Sequence, residues 1–201
     1  MNTARPIATE ILKTVEHWPE GTPIVARALL HLGTRAAVDQ ALKRLMHAEK
    51  LQRIGRGLYV LPVSSRFGTR PPASTSVVNK LAESTGETIV PTGASAANSL
   101  GLTTQVPTRE VYLTSGRSRT LHLGSQAVEL RHAASWQLLH PKSQAGQAIR
   151  ALIWAGPKHG AHAIGQLAST LPAQQRQVLL QSRSRLPGWM AKHVSALVTR
   201  G

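Results

Sequence analysis

Residues 22–61 read TPIVARALLHLGTRAAVDQALKRLMHAEKLQRIGRGLYVL, and the alternation of apolar, glycine and basic positions there decides the fold of the amino-terminal third. Thr34, just after Gly33, suits an N-cap. From it Val38, Ala41, Leu42, Leu45 and Met46 recur at i, i+3, i+4, i+7 and i+8, so the spacing predicts a helix to about Lys50 with one buried stripe. The opposite face shows Arg35, Asp39, Gln40, Lys43, Arg44 and His47. Thr22 and Pro23 predict the cap and first turn of a preceding helix that buries Ile24, Val25, Ala28, Leu29 and Leu32 and leaves Arg27 outside. Upstream, Pro6 opens a further helix with Ile7, Ile11, Leu12 and Val15 on one side. Downstream, two apolar-rich runs, 51–54 and 58–61, flank Gly55-Arg56-Gly57, whose glycines permit a tight reversal.

Three helices sharing a core, followed by a hairpin tipped with arginine, is the order of parts in a winged helix-turn-helix. A structural hairpin has no need of arginine at its tip, whereas a wing laid along a DNA groove does. The candidate DNA-contacting residues are Arg27, Thr34, Arg35, Asp39, Gln40, Lys43 and Arg44, with Arg53 and Arg56 on the wing.

Charge points the same way. The 201-residue chain has a net charge of +15, which favours polyanionic partners. Residues 1–70 hold eleven Lys/Arg against five Asp/Glu, and residues 130–201 hold nine Lys/Arg and no acid. A carboxylate-free stretch of that length suggests a polyanion or acidic-protein contact, with Arg150, Lys158, Arg176, Arg183, Arg185 and Lys192 as its candidate surface. There is no cysteine, which excludes disulfide and thiolate chemistry and fits a reducing compartment. With no apolar signal core at the start and no run near ~18 apolar residues, the expectation is a cytoplasmic protein without membrane contact.

The expected organisation is α+β: the winged helix-turn-helix over 1–62, a linker over 63–75 rich in Pro, Ser and Thr, and a second domain over 76–201. In that domain Val77, Val78 and Leu81 suggest a helix ending before Gly86, and 88–90 a short strand. Residues 94–100 read as a helix of small side chains packed on a sheet, and 110–114, 120–123 and 127–131 as a small antiparallel sheet. From about residue 136 the pattern is a basic helical tail, with helices over 145–155, 159–171, 173–186 and 189–198.

Catalytic groups are scarce. Asp39 is the one aspartate, and metal-dependent nucleases and nucleotidyltransferases need clustered carboxylates. Glu110 with Glu129-Leu130-Arg131 faintly resembles a nuclease sheet, but arginine does not simply replace a catalytic lysine. His159 and His162 have i, i+3 spacing yet lack further ligands, so surface histidines are expected and no metal or cofactor is implied. Ser95 and Ser99 have no acid to orient a histidine, and Thr92-Gly93-Ala94-Ser95 lacks the lysine of a phosphate loop.

Val38 to Leu45, followed by Leu51-Gln52-Arg53-Ile54-Gly55-Arg56-Gly57-Leu58-Tyr59, resembles the helix-plus-wing block of AbiEi-type antitoxins. Thr92 to Thr103 and Gln105-Val106-Pro107 are similar to the segment that follows in that family, so the resemblance spans roughly residues 5–135. It implies an antitoxin of a bacterial toxin-antitoxin, phage-defence type operon. Such a protein represses its own promoter at inverted repeats, which a homodimer on the DNA would suit, and opposes a nucleotidyltransferase-like toxin directly or indirectly through its C-terminal domain. It also implies that Arg35, Gln40, Lys43 and Arg44 read the major groove, with Arg53 and Arg56 on the wing. Two other readings stay open: a protein-interaction module that sequesters an acidic toxin, and a metal-dependent nuclease built on Glu110 and Glu129.

Overall fold

The computed structural model describes residues 6–66 and 68–197. The chain divides into two compact units, one of residues 1–87 with 120–128, the other of residues 88–119 with 129–201. The class is α+β, with helices and small antiparallel sheets in both units.

In the first unit, α1 (Ile7–Val15) follows Pro6 and buries Ile11 and Val15. Then come β1 (Ile24–Val25), a 3₁₀ helix (Ala26–Leu32), α2 (Arg35–His47), β2 (Gln52–Gly55) and β3 (Leu58–Val60). The three strands form a sheet in the order β1-β3-β2. Ile24 and Val25 are therefore strand, not the first helical turn that Thr22 and Pro23 suggested. They pair with Tyr59 and Leu58, and Ala26 N–H donates to Gly57 O at 2.9 Å. Two β-branched residues gain more from a ladder than from a helix start. The Thr22 hydroxyl donates back to Pro19 O at 2.7 Å instead of capping. At three residues per turn, Ala26 and Leu29 share the inner face while Ala28 is exposed, opposite to an α-helical reading.

α2 is capped as its sequence implies: Thr34 Oγ1 accepts from Ala37 N–H at 3.3 Å. Its stripe of Val38, Ala41, Leu42 and Leu45 packs into one core with Ile11, Val15, Ile24, Leu29 and Tyr59. The helix ends three residues before Lys50 because the chain turns out through Glu49, which adopts a left-handed φ of 54°. The β2–β3 reversal needs Gly57, whose φ of +68° is disfavoured for other residues.

Residues 63–75 are not a bare tether. β4 (Val63–Ser65) and β5 (Gly68–Arg70) pair antiparallel, and α3 (Ser74–Thr85) follows, ending at Gly86 as read. The Glu20 carboxylate accepts from Ala73 N–H at 3.1 Å and from Arg70 Nη1 at 3.5 Å, fixing this stretch within the first unit. Backbone pairing of this kind leaves no mark on composition, which is why polar residues made it look unstructured.

The second unit begins with β6 (Ile89–Pro91), α4 (Gly93–Ser99) and β7 (Glu110–Thr114), and β6 and β7 pair antiparallel. Of the other two strands of their sheet, β8 (Arg119–Leu123) falls almost wholly, and β9 (Gln126–His132) in its first part, within residues 120–128 of the first unit; the sheet order is β6-β7-β9-β8. A 3₁₀ turn (Ser135–Leu138) leads to α5 (Gln144–Thr170), broken at Gly156 (φ 71°, ψ 175°) ahead of Pro157. α6 (Ala173–Gln181), a 3₁₀ helix (Ser182–Arg185) and α7 (Gly188–Ser195) complete it, so the helix expected over 173–186 tightens in its last turn. Ile149, Leu152, Ile164, Leu167, Leu179, Met190 and Val194 form the core of these helices.

Two expectations are corrected in this unit. The small side chains of α4 pack on α5, through Ala96, Ala97 and Ala151, and not on the sheet. A Cβ at Gly93 would overlap Arg150 O and meet Trp154 Cβ at 3.1 Å, so only glycine allows this approach. Arg150, expected on a basic surface, is fully buried at 0 % exposure. Among the described residues no helix is long and apolar enough to cross a membrane.

Candidate nucleic-acid interface

The outer face of α2 and the β2–β3 hairpin enclose a concave surface of about 520 Å³. Its α2 side is Arg35, Asp39 and Lys43, each about one helical turn after the last, then the neighbours Met46 and His47; its hairpin side is Arg53, Arg56, Gly57 and Tyr59. Four permanent cations thus face one carboxylate.

Local bonds fix several of these side chains. Arg35 Nε donates to Asp39 Oδ2 at 2.9 Å, an exposed i, i+4 pair worth on the order of 0.3–0.5 kcal/mol. Its value here lies in holding Arg35 over the hollow with fewer rotamers to lose. Arg53 Nε donates to Gly55 O at 3.2 Å and is folded along its own strand, while Arg56 projects at the hairpin tip. A bulge at Ile54, between the Arg53–Tyr59 and Gly55–Leu58 pairs, buries that residue and sets Arg53 outward.

Of the nine DNA-contact candidates, five line the hollow: Arg35, Asp39, Lys43, Arg53 and Arg56. Gln40 and Arg44 are exposed on the adjacent row of α2, about 100° round from Asp39 and Lys43. Arg27 is exposed on the 3₁₀ helix, away from the lining, and Thr34 spends its oxygen on the cap. Met46 and Tyr59 were missed as lining residues, because apolar periodicity assigns them to the core; each has an outer edge that completes the floor.

The basic candidates of the second unit differ in burial. Lys158, Arg183, Arg185 and Lys192 are exposed on three separate elements. Arg176 is half-buried, its Nη1 donating to Ala168 O at 2.9 Å. Among the described residues Arg150 has no hydrogen-bond partner at Nε, Nη1 or Nη2, and desolvation pushes its pKa down to about 10, still high enough to leave it charged at neutral pH.

Of Glu110 and Glu129, the second is held in an ion pair. Arg131 Nε and Nη2 donate to Glu129 Oε1 and Oε2, both at 2.8 Å. Those hydrogen bonds, then the charges of Arg131 and Arg109, hold Glu129 below its ordinary pKa against the opposing effect of desolvation. Among the described residues no group of three or more His, Asp or Glu side chains is placed to hold a metal; His159 and His162 are exposed.

A family model described as a family of unknown function, DUF6088, matches residues 10–174. The chain belongs to this family. The matched span includes the whole α2–hairpin hollow, Arg150 and Lys158, whereas Arg176, Arg183, Arg185 and Lys192 lie beyond it. No curated protein and no solved structure matches the chain.

Proposed function

We propose that residues 6–61 form a winged helix-turn-helix that binds double-stranded DNA, and that the protein is an AbiEi-like antitoxin repressing its own promoter. α2 would enter the major groove and the β2–β3 hairpin would lie along the neighbouring backbone. The observation that carries this is the convergence of Arg35, Lys43, Arg53 and Arg56 on one concave, exposed face. A fold needs no such cluster, since like charges repel, whereas a phosphate backbone neutralises them. With four phosphates engaged, the logarithm of affinity should fall with the logarithm of salt at a slope of about −3 to −4. Gln40 and Arg44, on the next row, are the residues offered to base edges. Loss of a bidentate contact from Arg44 would cost about 1–3 kcal/mol and relax sequence preference.

The test is a footprint of the full chain on its own upstream region. Protection of an inverted repeat is expected, lost in Lys43→Ala plus Arg44→Ala. A footprint unchanged by that double substitution would remove α2 from the interface.

A second reading, a module that grips an acidic partner, draws on the exposed Lys158, Arg183, Arg185 and Lys192 in a region without one carboxylate. Rescue from the toxin that survives loss of DNA binding, with a complex recovered by co-purification, would favour it. Rescue without a complex would favour indirect antagonism.

A further inference from the structure

The second unit holds a cleft of about 490 Å³ between the loop before β7, strands β7 and β9, and the α4–α5 pair. We propose that this cleft binds a mononucleotide, its base against Trp154 and its phosphate on Arg109 and Arg131.

The lining has the make-up of a small-ligand site: largely apolar walls with a few convergent polar groups, in the usual size range. Val111, Leu113, Ile153 and Trp154 supply the walls, and Thr92, Thr108 and Gln137 the neutral hydrogen-bonding groups. Arg109 and Arg131 are the charged residues of the lining, and both are cations. Glu129 pairs with Arg131, so one net cation remains, which suits an anion with a sizeable apolar or aromatic part. Trp154 is 43 % exposed although it stands on a helix packed against α4, so its indole is left for a partner to cover. It is also the one aromatic side chain in the lining, which suits one base; a strand of bases needs a succession of rings.

The cations are arranged for a phosphate. Glu129 takes Arg131 Nε and Nη2, which fixes the guanidinium plane and leaves Nη1 for an incoming oxygen. An arginine already held in place loses less entropy on binding. Arg109 lines the same cleft as Arg131, so both guanidiniums are offered to one ligand. Beneath the wall, one turn before Ile153 and Trp154, Arg150 is buried with all three guanidinium nitrogens unpartnered. An uncompensated buried cation is costly and poorly screened, and an anion bound nearby offsets part of that cost. Thr92 lines the cleft and does not cap α4 with its side chain.

The test is calorimetric titration of the full chain with adenosine 5′-monophosphate, with adenosine and a short oligodeoxythymidylate as comparisons. Saturable one-to-one binding of the nucleotide is expected, weaker for adenosine. Trp154→Ala should weaken it by about tenfold or more, and Trp154→Phe should restore most of it. Arg109→Gln or Arg131→Gln should erase the preference for nucleotide over nucleoside. Circular dichroism of each variant separates loss of site from loss of fold, and Trp154→Phe carries the test if the alanine variant unfolds. No saturable nucleotide binding, adenosine binding equally well, or binding of the oligonucleotide alone would each overturn the proposal. The site is independent of the α2 hollow: Lys43→Ala plus Arg44→Ala should leave nucleotide affinity unchanged, so the two proposals fail separately.

Discussion

The hollow between α2 and the β2–β3 hairpin and the helical turn around Arg150 use the same residue type in opposite surroundings. In the hollow, arginines stand in solvent, steadied by Asp39 and by the Gly55 carbonyl. On α5, Arg150 is enclosed with no partner at any guanidinium nitrogen. Solvated cations crowded together cost little and are available to an anion. A sealed, unpaired one costs several kcal/mol, and nothing in the second unit's own hydrogen bonding offsets it. Basic composition is thus a poor guide to where charge can act: the acid-free carboxy-terminal stretch buries Arg150 and half-buries Arg176, whereas the amino-terminal unit, acids included, brings four cations to one hollow.

Three substitutions test that contrast. The largest effect is expected from Arg150→Met, which keeps an unbranched stem and removes the charge. In the absence of ligand it should stabilise the protein by on the order of 1–3 kcal/mol, raising Tm by about 2–4 °C per kcal/mol in a thermal melt. Destabilisation instead would show that the guanidinium holds the helices together, and the contrast would break. Next comes Thr34→Ala, which removes the bond to Ala37 N–H and should cost about 1 kcal/mol in urea unfolding. It should weaken DNA binding only as far as α2 frays, which sharpens the distinction between shaping the face and charging it. The smallest effect is expected from Asp39→Asn. Removing the one carboxylate of the hollow should tighten non-specific DNA binding a few-fold and steepen its salt dependence by less than about one unit. Weaker binding would mean that Asp39 serves chiefly to aim Arg35.

Much of the first unit was legible because its signals are local. Thr34 as cap, the stripe from Val38 to Leu45, and the reversal at Gly57 each depend on residues within a turn or two of one another. The membership of the hollow was half legible: periodicity separates Arg35, Asp39 and Lys43 from the core face, and a hairpin puts Arg53 and Arg56 nearby. It puts Gln40 and Arg44 on the next row but cannot show that the hollow stops short of them, or that Met46 and Tyr59 complete its floor. The nucleotide cleft was not legible, since its residues come from stretches between 92 and 154 that share no pattern.

By itself, the sequence determined α1, α2 with its Thr34 cap, the basic balance and the scarcity of carboxylates, because these depend on side-chain type and on spacings shorter than one element. Tertiary structure decided that Ile24 and Val25 become a strand, since Leu58 and Tyr59 offer a ladder more than thirty positions away. It also decided that 63–70 pairs with itself and that α4 lies on α5 through Gly93. The same holds for the sealing of Arg150: burial is a property of what packs around a side chain, and charge, which argues for the surface, yields when the neighbours that enclose it come from distant parts of the chain.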